Sequence, residues 1–279
     1  MLNTKNQMLD NELGWTNYQH RMVNRWQGSA HSHVEDCVAE EVPIVLMYNS
    51  ISHVVMLATP TNLEDFALGF SMTEGIIQHP KEFLSARVYQ RANGIEVQVK
   101  IPEERFVCLT DKGRNLTGRT GCGLCGASTL KQAVRQPAPV HSSISVTAEQ
   151  LTAALADLHN RQSLNQLTGA IHAAAWVEPE RGIIDVREDV GRHNALDKLL
   201  GLLCRTGKDV NAGYIIVTSR ASYEMLQKTA FLGIGLLVAI SAPTGLAIRL
   251  AEQAGVTLVG FARGDKHVIY THPQRIIHT

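Results

Sequence analysis

From about residue 145 to the end of the chain, short apolar runs alternate with segments of helical length, and no other feature restricts the fold as much. Thr147 to Asn160 reads as a helix, followed by the apolar runs Ala170 to Val177 and Gly182 to Val186. Helix Gly191 to Leu203 then precedes strand Tyr214 to Thr218, and helix Ser222 to Leu232 precedes strand Leu236 to Ile240. Helix Gly245 to Ala254 precedes strand Thr257 to Phe261, with a last short strand near His267 to Tyr270. Strands alternating with helices in this way predict a three-layer α/β sandwich. The uncharged run Thr229 to Ile248 could span a bilayer by length alone. Gly233, Gly235, Ser241, Pro243, Thr244 and Gly245 divide it into helix end, short strand, turn and new helix start, so it reads as buried α/β structure.

The first half has a different grammar. Residues 1–37 are polar and carry no sustained periodicity, which reads as a mobile or loosely docked arm. Val42 to Tyr48 and Ile51 to Leu57, around Asn49-Ser50, predict a β-hairpin. Pro60 to Asp65 offers helix-starting chemistry for Phe66 to Gly75. Val88 to Gln90 and Ile95 to Ile101, split by Asn93-Gly94, predict a second hairpin, and Phe106 to Leu109 a further strand. The expected organisation is therefore an arm (1–37), a smaller β-rich N-terminal domain (38–110), a flexible glycine-rich loop (111–144) and an α/β domain (145–279), α+β overall.

That loop holds the chemistry. Between Gly113 and Gly126 lie five glycines, and Lys112, Arg114, Arg119, Lys131 and Arg135 face the single acid Asp111. The whole chain has 26 basic and 26 acidic residues, so nothing global attracts nucleic acid or an anionic membrane, and charge that matters must be local. Of five cysteines only Cys122-Gly-Leu-Cys125 form a close pair; Cys37, Cys108 and Cys204 are scattered. An odd, unpatterned set does not resemble a secreted disulfide framework, and the N-terminus lacks the basic-then-apolar order of a signal peptide, so a reducing cytoplasmic setting is expected. Cys122 and Cys125 admit three readings. Half of a zinc site would need about two more ligands, for which the spacing offers no partner. A thioredoxin-type dithiol should follow a strand and open a helix. A mobile nucleophilic thiol, whose thiolate the surrounding cations favour, fits the loop best.

The order of elements in the second half resembles the cytidine-deaminase-like architecture. Zinc deaminases carry H-x-E and P-C-x-x-C at two helix starts. Here the matching places read Glu188-Asp-Val-Gly-Arg-His193 and Thr218-Ser-Arg-Ala-Ser-Tyr223, without the ligands. No metal site is expected. What remains is a pair of helix starts bearing Asp189, Ser219, Arg220 and Ser222, able to cap the helices or meet phosphate. Phe261-Ala-Arg-Gly-Asp-Lys266, with Arg249, His272 and Arg275, is a second phosphate candidate, and His172 in its apolar run reads as a core histidine.

The block Gly118-Arg-Thr-Gly-Cys-Gly-Leu-Cys-Gly126 resembles the signature of the formate dehydrogenase accessory sulfurtransferases, the FdhD family. Glu40-Glu-Val-Pro43, Phe66 to Phe70 with Thr73-Glu-Gly75, Gly169 to Ala175, Glu188 to His193 with Ala195 to Lys198, Ser219 to Met225 and His272 to Arg275 are similar to it too, in chain order. The resemblance implies a sulfurtransferase that accepts sulfur as a persulfide from a cysteine desulfurase. It would pass the sulfur to the molybdenum bis(guanine dinucleotide) cofactor, a bound substrate, for formate dehydrogenase. It implies that Cys122 carries the persulfide, that Cys125 assists or relays, and that Phe261, Ala262, Arg263, Gly264, Asp265 and Lys266 contact the cofactor. No intrinsic metal, nucleic acid or membrane is implied, and a homodimer is only the commonest symmetric outcome. The rival readings are a non-catalytic cofactor-binding chaperone and a dithiol/disulfide redox protein.

Overall fold

The structure, a computed structural model, describes residues 14–113 and 137–278. It opens on a two-stranded antiparallel ribbon, β1 (Tyr18–Gln27) and β2 (Ala30–Ala39). The arm expected over residues 1–37 is thus corrected for its second half. Neither ribbon strand buries a face, so neither shows the alternation that would reveal it; β2 leans on a short helix of the second half.

The N-terminal unit follows the sequence closely. Its sheet runs in the order β4 (Ile51–Ala58), β3 (Val42–Tyr48), β6 (Gly94–Lys100), β5 (Ser85–Arg91), with β3 and β6 parallel and the outer pairs antiparallel. Val42, Ile44, Leu46 and Tyr48 alternate inward along β3, and Ile95, Val97 and Val99 along β6. They meet Phe66, Ala67 and Phe70 of α1 (Leu63–Thr73) in one core. The strand expected at Phe106 to Leu109 is instead part of α2 (Glu103–Gly113). Pro102 followed by Glu103 and Glu104 starts a helix, and Phe106 and Leu109, three apart, turn one face to the core.

The described chain resumes at Pro137. Val140 donates its backbone N–H to Ala254 at 2.8 Å and, like Ile144, is buried, so this end of the stretch expected as a loop (111–144) is docked on the second half, and its other end belongs to α2; residues 114–136 lie outside the described residues. Then come β7 (Val146–Thr147), α3 (Ala148–Leu158) and the short α4 (Ser163–Thr168), on which β2 leans. The six-stranded sheet consists of β8 (His172–Glu178), β9 (Gly182–Asp189), β10 (Tyr214–Val217), β11 (Leu236–Ala239), β12 (Thr257–Arg263) and β13 (Lys266–Thr271). Their order is β13-β12-β11-β10-β8-β9, with β10, β11 and β12 parallel. A final strand, β14 (Ile276–Ile277), pairs with β7.

Alternation along the strands makes the layers. Ala174, Trp176, Ile215, Val217, Leu237 and Leu258 face the helices α5 (Arg192–Thr206), α6 (Tyr223–Phe231) and α7 (Gly245–Ala254). Ala175, Val177, Ile216, Leu236, Val238 and Val259 face α3 on the other side. The expected α/β class and its three layers are what the chain adopts.

The two units meet where α1 crosses α5 backbone to backbone. A Cβ on Gly69 would lie 1.8 Å from the carbonyl oxygen of Asp197, and one on Gly201 would lie 1.8 Å from that of Asp65. Each glycine sits four residues after the aspartate that the other helix touches, so each helix must lack a side chain at the one position where the backbones meet.

Candidate functional site

Ligands of open α/β sheets collect at the carboxyl ends of parallel strands. In this chain that edge is a braced rim. Where β10 ends, Ala221 N–H donates to Ala242 O (3.2 Å) and Thr244 N–H to Ala221 O (3.0 Å). Where β12 ends, Phe261 N–H donates to Ser241 O (3.2 Å) and Arg263 Nε to Ile240 O (3.3 Å). Thr218 Oγ1 accepts from Ala173 N–H (2.9 Å), tying in the start of β8.

Phe261 to Lys266 lie on this rim, forming the end of β12 and the turn into β13. A β-bulge falls between Gly260 and Arg263, and within it Phe261 holds a φ of 52°. An aromatic residue in the left-handed region is strained, and such strain persists where surrounding structure imposes it, often beside binding sites. The strain turns the Phe261 ring outward, 49% exposed. Arg263, Gly264, Asp265 and Lys266 are exposed as well, whereas the side chain of Ala262 is wholly buried in the core, leaving only its backbone to meet a ligand.

The helix starts singled out by the sequence reach the same rim, with divided roles. Asp189 is fully buried and spent on structure: it accepts from Thr59 N–H (3.0 Å), Gly191 N–H (2.7 Å) and Asn194 Nδ2 (3.0 Å), and pairs with Lys198 Nζ at 2.7 Å. Ser219 Oγ donates to Arg220 O. Ser222, the N-cap of α6, makes no capping hydrogen bond, and its buried Oγ has no partner; Thr244, at the head of α7, does accept from Ala247 N–H. Arg220 is exposed and Arg192 half-buried. Burial holds Arg192 below the ordinary guanidinium range and Arg220 beside it adds to the effect, with Glu224 opposing. His193 Nε2 lies 2.8 Å from Glu224 Oε2, an ion pair whenever the imidazole is protonated. His172, expected in the core, is half-buried here; burial lowers its pKa, and Arg192 and His193 lower it further.

Other expected members are elsewhere. Arg275 donates to Ser142 O (3.2 Å) and to Thr257 Oγ1 (3.0 Å) at the start of β12, about 13 Å along the strand from Phe261 at some 3.3 Å per residue. His272 is at the same far edge, its Nε2 3.1 Å from Glu252 O. Arg249 is exposed on α7. Cys122 and Cys125 lie outside the described residues. Cys37, Cys108 and Cys204 are free; burial pushes the Cys204 thiol up to about 11, so it is inert at neutral pH. Among the described residues no group of three His, Cys, Asp or Glu is placed to hold a metal ion, and no helix is long and apolar enough to cross a membrane.

Sequence reasoning missed the buried ion pairs under the rim. Lys198 is enclosed with Asp189 and also donates to Thr59 O (2.8 Å). Lys228 contacts Asp197 (2.9 Å), Glu74 (3.2 Å) and Thr73 Oγ1 (2.9 Å). The available signal was charge set among leucines, as in Leu196-Asp-Lys-Leu199.

The FdhD/NarQ family model matches residues 39–277. Over 256 residues the chain is 54% identical to the sulfur carrier protein FdhD of Cupriavidus necator, covering 92% of this chain and 89% of that protein. It is 50% identical to the protein of the same name from Xanthomonas euvesicatoria, covering 92% and 91%. The fold is similar to the crystal structure of a protein assigned as a formate dehydrogenase accessory protein from Desulfotalea psychrophila, with a TM-score of 0.75, 21% identity and coverage of 93% and 99%.

Proposed function

The chain belongs to the FdhD/NarQ family, and from that premise we propose that it is a sulfur carrier in formate dehydrogenase maturation. Cys122 is the carrying residue. Its thiolate attacks the outer sulfur of a persulfide on a cysteine desulfurase, forming Cys122–S–SH and releasing the donor's thiolate. The acceptor is the molybdenum bis(guanine dinucleotide) cofactor, bound as substrate. Attack of the Cys125 thiolate on the inner sulfur would free the outer one as sulfide and leave a Cys122–Cys125 disulfide, which a thiol reductant reopens. The work belongs in the cytoplasm, where such thiols stay reduced.

The observation that carries the nucleotide half of this reading is the exposed ring of Phe261 on a strained backbone, followed by Arg263 and Lys266, at the carboxyl edge of three parallel strands. An outward aromatic ring offers a face for a purine base, and the cations beside it suit its phosphates. Sulfur carriage is supported by family membership and by the paired thiols in a cationic, glycine-rich stretch.

Mass spectrometry after incubation with a desulfurase and cysteine tests the sulfur half. The wild-type chain should gain about 32 Da, one sulfur atom, on Cys122, and Cys122→Ala should gain none and leave formate dehydrogenase inactive. Full activation by the Cys122→Ala chain would favour a chaperone that binds cofactor without using either thiol. A reversible Cys122–Cys125 disulfide without the sulfur adduct would favour a redox protein.

A further inference from the structure

The outer half of the ribbon β1-β2 has no core under it. From Asn24 through the turn to His33 every residue is exposed, and only beyond it do Val34, Asp36 and Cys37 of β2 become half-buried. A two-stranded hairpin without a packed face is marginally stable in water, so this half depends on contacts between side chains across the strands. The register sets Asn24 opposite His33 and Trp26 opposite His31, and alternation puts all four on one face. His33 Nδ1 and His31 Nε2 lie 3.1 Å and 3.2 Å from the same atom, Oδ1 of Asn24. The Trp26 ring stands against that of His31, with centroids 4.7 Å apart, and is 67% exposed. No Lys or Arg shares the face; Arg21 and Arg25 fall on the other, where Arg25 pairs with Asp36 at 3.6 Å. Two imidazole nitrogens and an amide oxygen thus converge, and neither the rim nor the carriage of sulfur uses them.

We propose that His31, His33 and Asn24 form a site for a divalent transition-metal ion of the Ni²⁺, Cu²⁺ and Zn²⁺ class, which clamps β1 to β2. Tetrahedral donors, each about 2.05 Å from a metal, stand about 3.3 Å from one another. The two imidazole nitrogens already stand at nearly that separation from the amide oxygen. Imidazole nitrogen suits these borderline metals and gives little to Mg²⁺ or Ca²⁺, which seek oxygen. A neutral imidazole supplies its lone pair by carrying its proton on the other ring nitrogen, so no bond to carbon is made or broken. Asn24 is the weakest of the three donors, but it comes from the neighbouring strand, so the ion joins the two. Water fills the remaining positions. An ion held by the paired ribbon and not by the open one stabilises the pairing by mass action.

Trp26 makes the site report on itself. The full chain is titrated with Ni²⁺ after Cys122→Ser and Cys125→Ser, so that those thiols do not compete for metal. Ni²⁺ should quench the exposed indole, Zn²⁺ should displace it and restore the emission, and Mg²⁺ should do neither. By calorimetry, His31→Gln and His33→Gln should each lose roughly tenfold or more in Ni²⁺ affinity, and Asn24→Ala about threefold. Both histidines are exposed, so their replacement reports on binding and not on folding. Asn24→His should bind about tenfold tighter by setting a third imidazole opposite His33, a gain that a damaged fold does not produce. Hydrogen exchange at residues 24–33 should slow when Zn²⁺ is added, and should not respond once both histidines are replaced. Quenching that survives both histidine replacements, Mg²⁺ that competes as well as Zn²⁺, or an Asn24→His chain that binds no tighter would overturn the site.

Discussion

Helix α5 carries two sets of charged residues that could hardly be treated more differently. In its middle, Asp197 and Lys198 are entirely buried, and each finds an opposite charge and hydrogen-bond partners, Asp197 with Lys228 and Thr73, Lys198 with Asp189 and Thr59. At its head, Arg192 and His193 are half-buried, Arg192 faces another cation, and one of its donors has no partner. Fully partnered buried charge fixes how elements dock; charge left short of partners at an accessible rim is available to something that is not part of the chain. Both sets occupy one rigid helix, so the docking of the N-terminal unit also sets where the rim residues stand. Asp189 shows the link directly, because one carboxylate receives the N–H of Thr59 from the N-terminal unit and the N–H of Gly191 just before α5.

The comparison breaks most severely where α1 and α5 touch. Gly201→Val places side-chain atoms against the Asp65 carbonyl and must push the helices apart, stranding the buried charges between them. A loss of more than about 4 kcal/mol is expected, most of an ordinary domain's margin, and denaturant unfolding should show it. Lys228→Met is the next test. It leaves Asp197 buried and unpaired, which predicts a loss of about 3 kcal/mol, and adding Asp197→Asn should make the defect milder by removing that charge. Burial pulls the Lys228 pKa down, but Asp197 and Glu74 outweigh it and hold it above 10.5. Its stabilising effect is therefore complete at neutral pH and is lost only as pH rises through the raised value. If Lys228→Met unfolded no more readily than wild type, the buried charges in the middle of α5 would not be what docks the N-terminal unit.

How much of this was legible beforehand follows from what leaves a period in sequence. The α/β half was readable because every strand and helix buries a face, and helix Gly245–Ala254 has the expected bounds. The ribbon β1-β2 buries neither face and leaves no pattern, while α2 was misread because Phe106-Val-Cys-Leu109 is as apolar as a strand and the deciding signal, Pro102 with two acids, precedes it. At the rim, Phe261 to Lys266 could be picked out by resemblance and Ser219 to Ser222 by capping chemistry. That Arg275 and His272 stand at the opposite edge of the sheet, and that Asp189 is structural, depends on strand direction and on contacts more than a hundred residues apart in sequence, such as that of Asp189 with Thr59.

At the rim the comparison is sharpened by small effects. Arg220→Gln should change unfolding stability by no more than about 0.5 kcal/mol, in contrast to Lys228→Met, because an exposed cation with a cationic neighbour holds nothing together.

The smallest expected signal concerns His172. Its folded pKa lies below the ordinary 6.5, because burial and then Arg192 and His193 disfavour the imidazolium, with Asp189 opposing them. The unfolded chain therefore takes up a proton that the folded chain does not as pH falls below about 6.5, and stability declines with it. His172→Gln should flatten that decline without altering stability at pH 8, where the imidazole is neutral in both states.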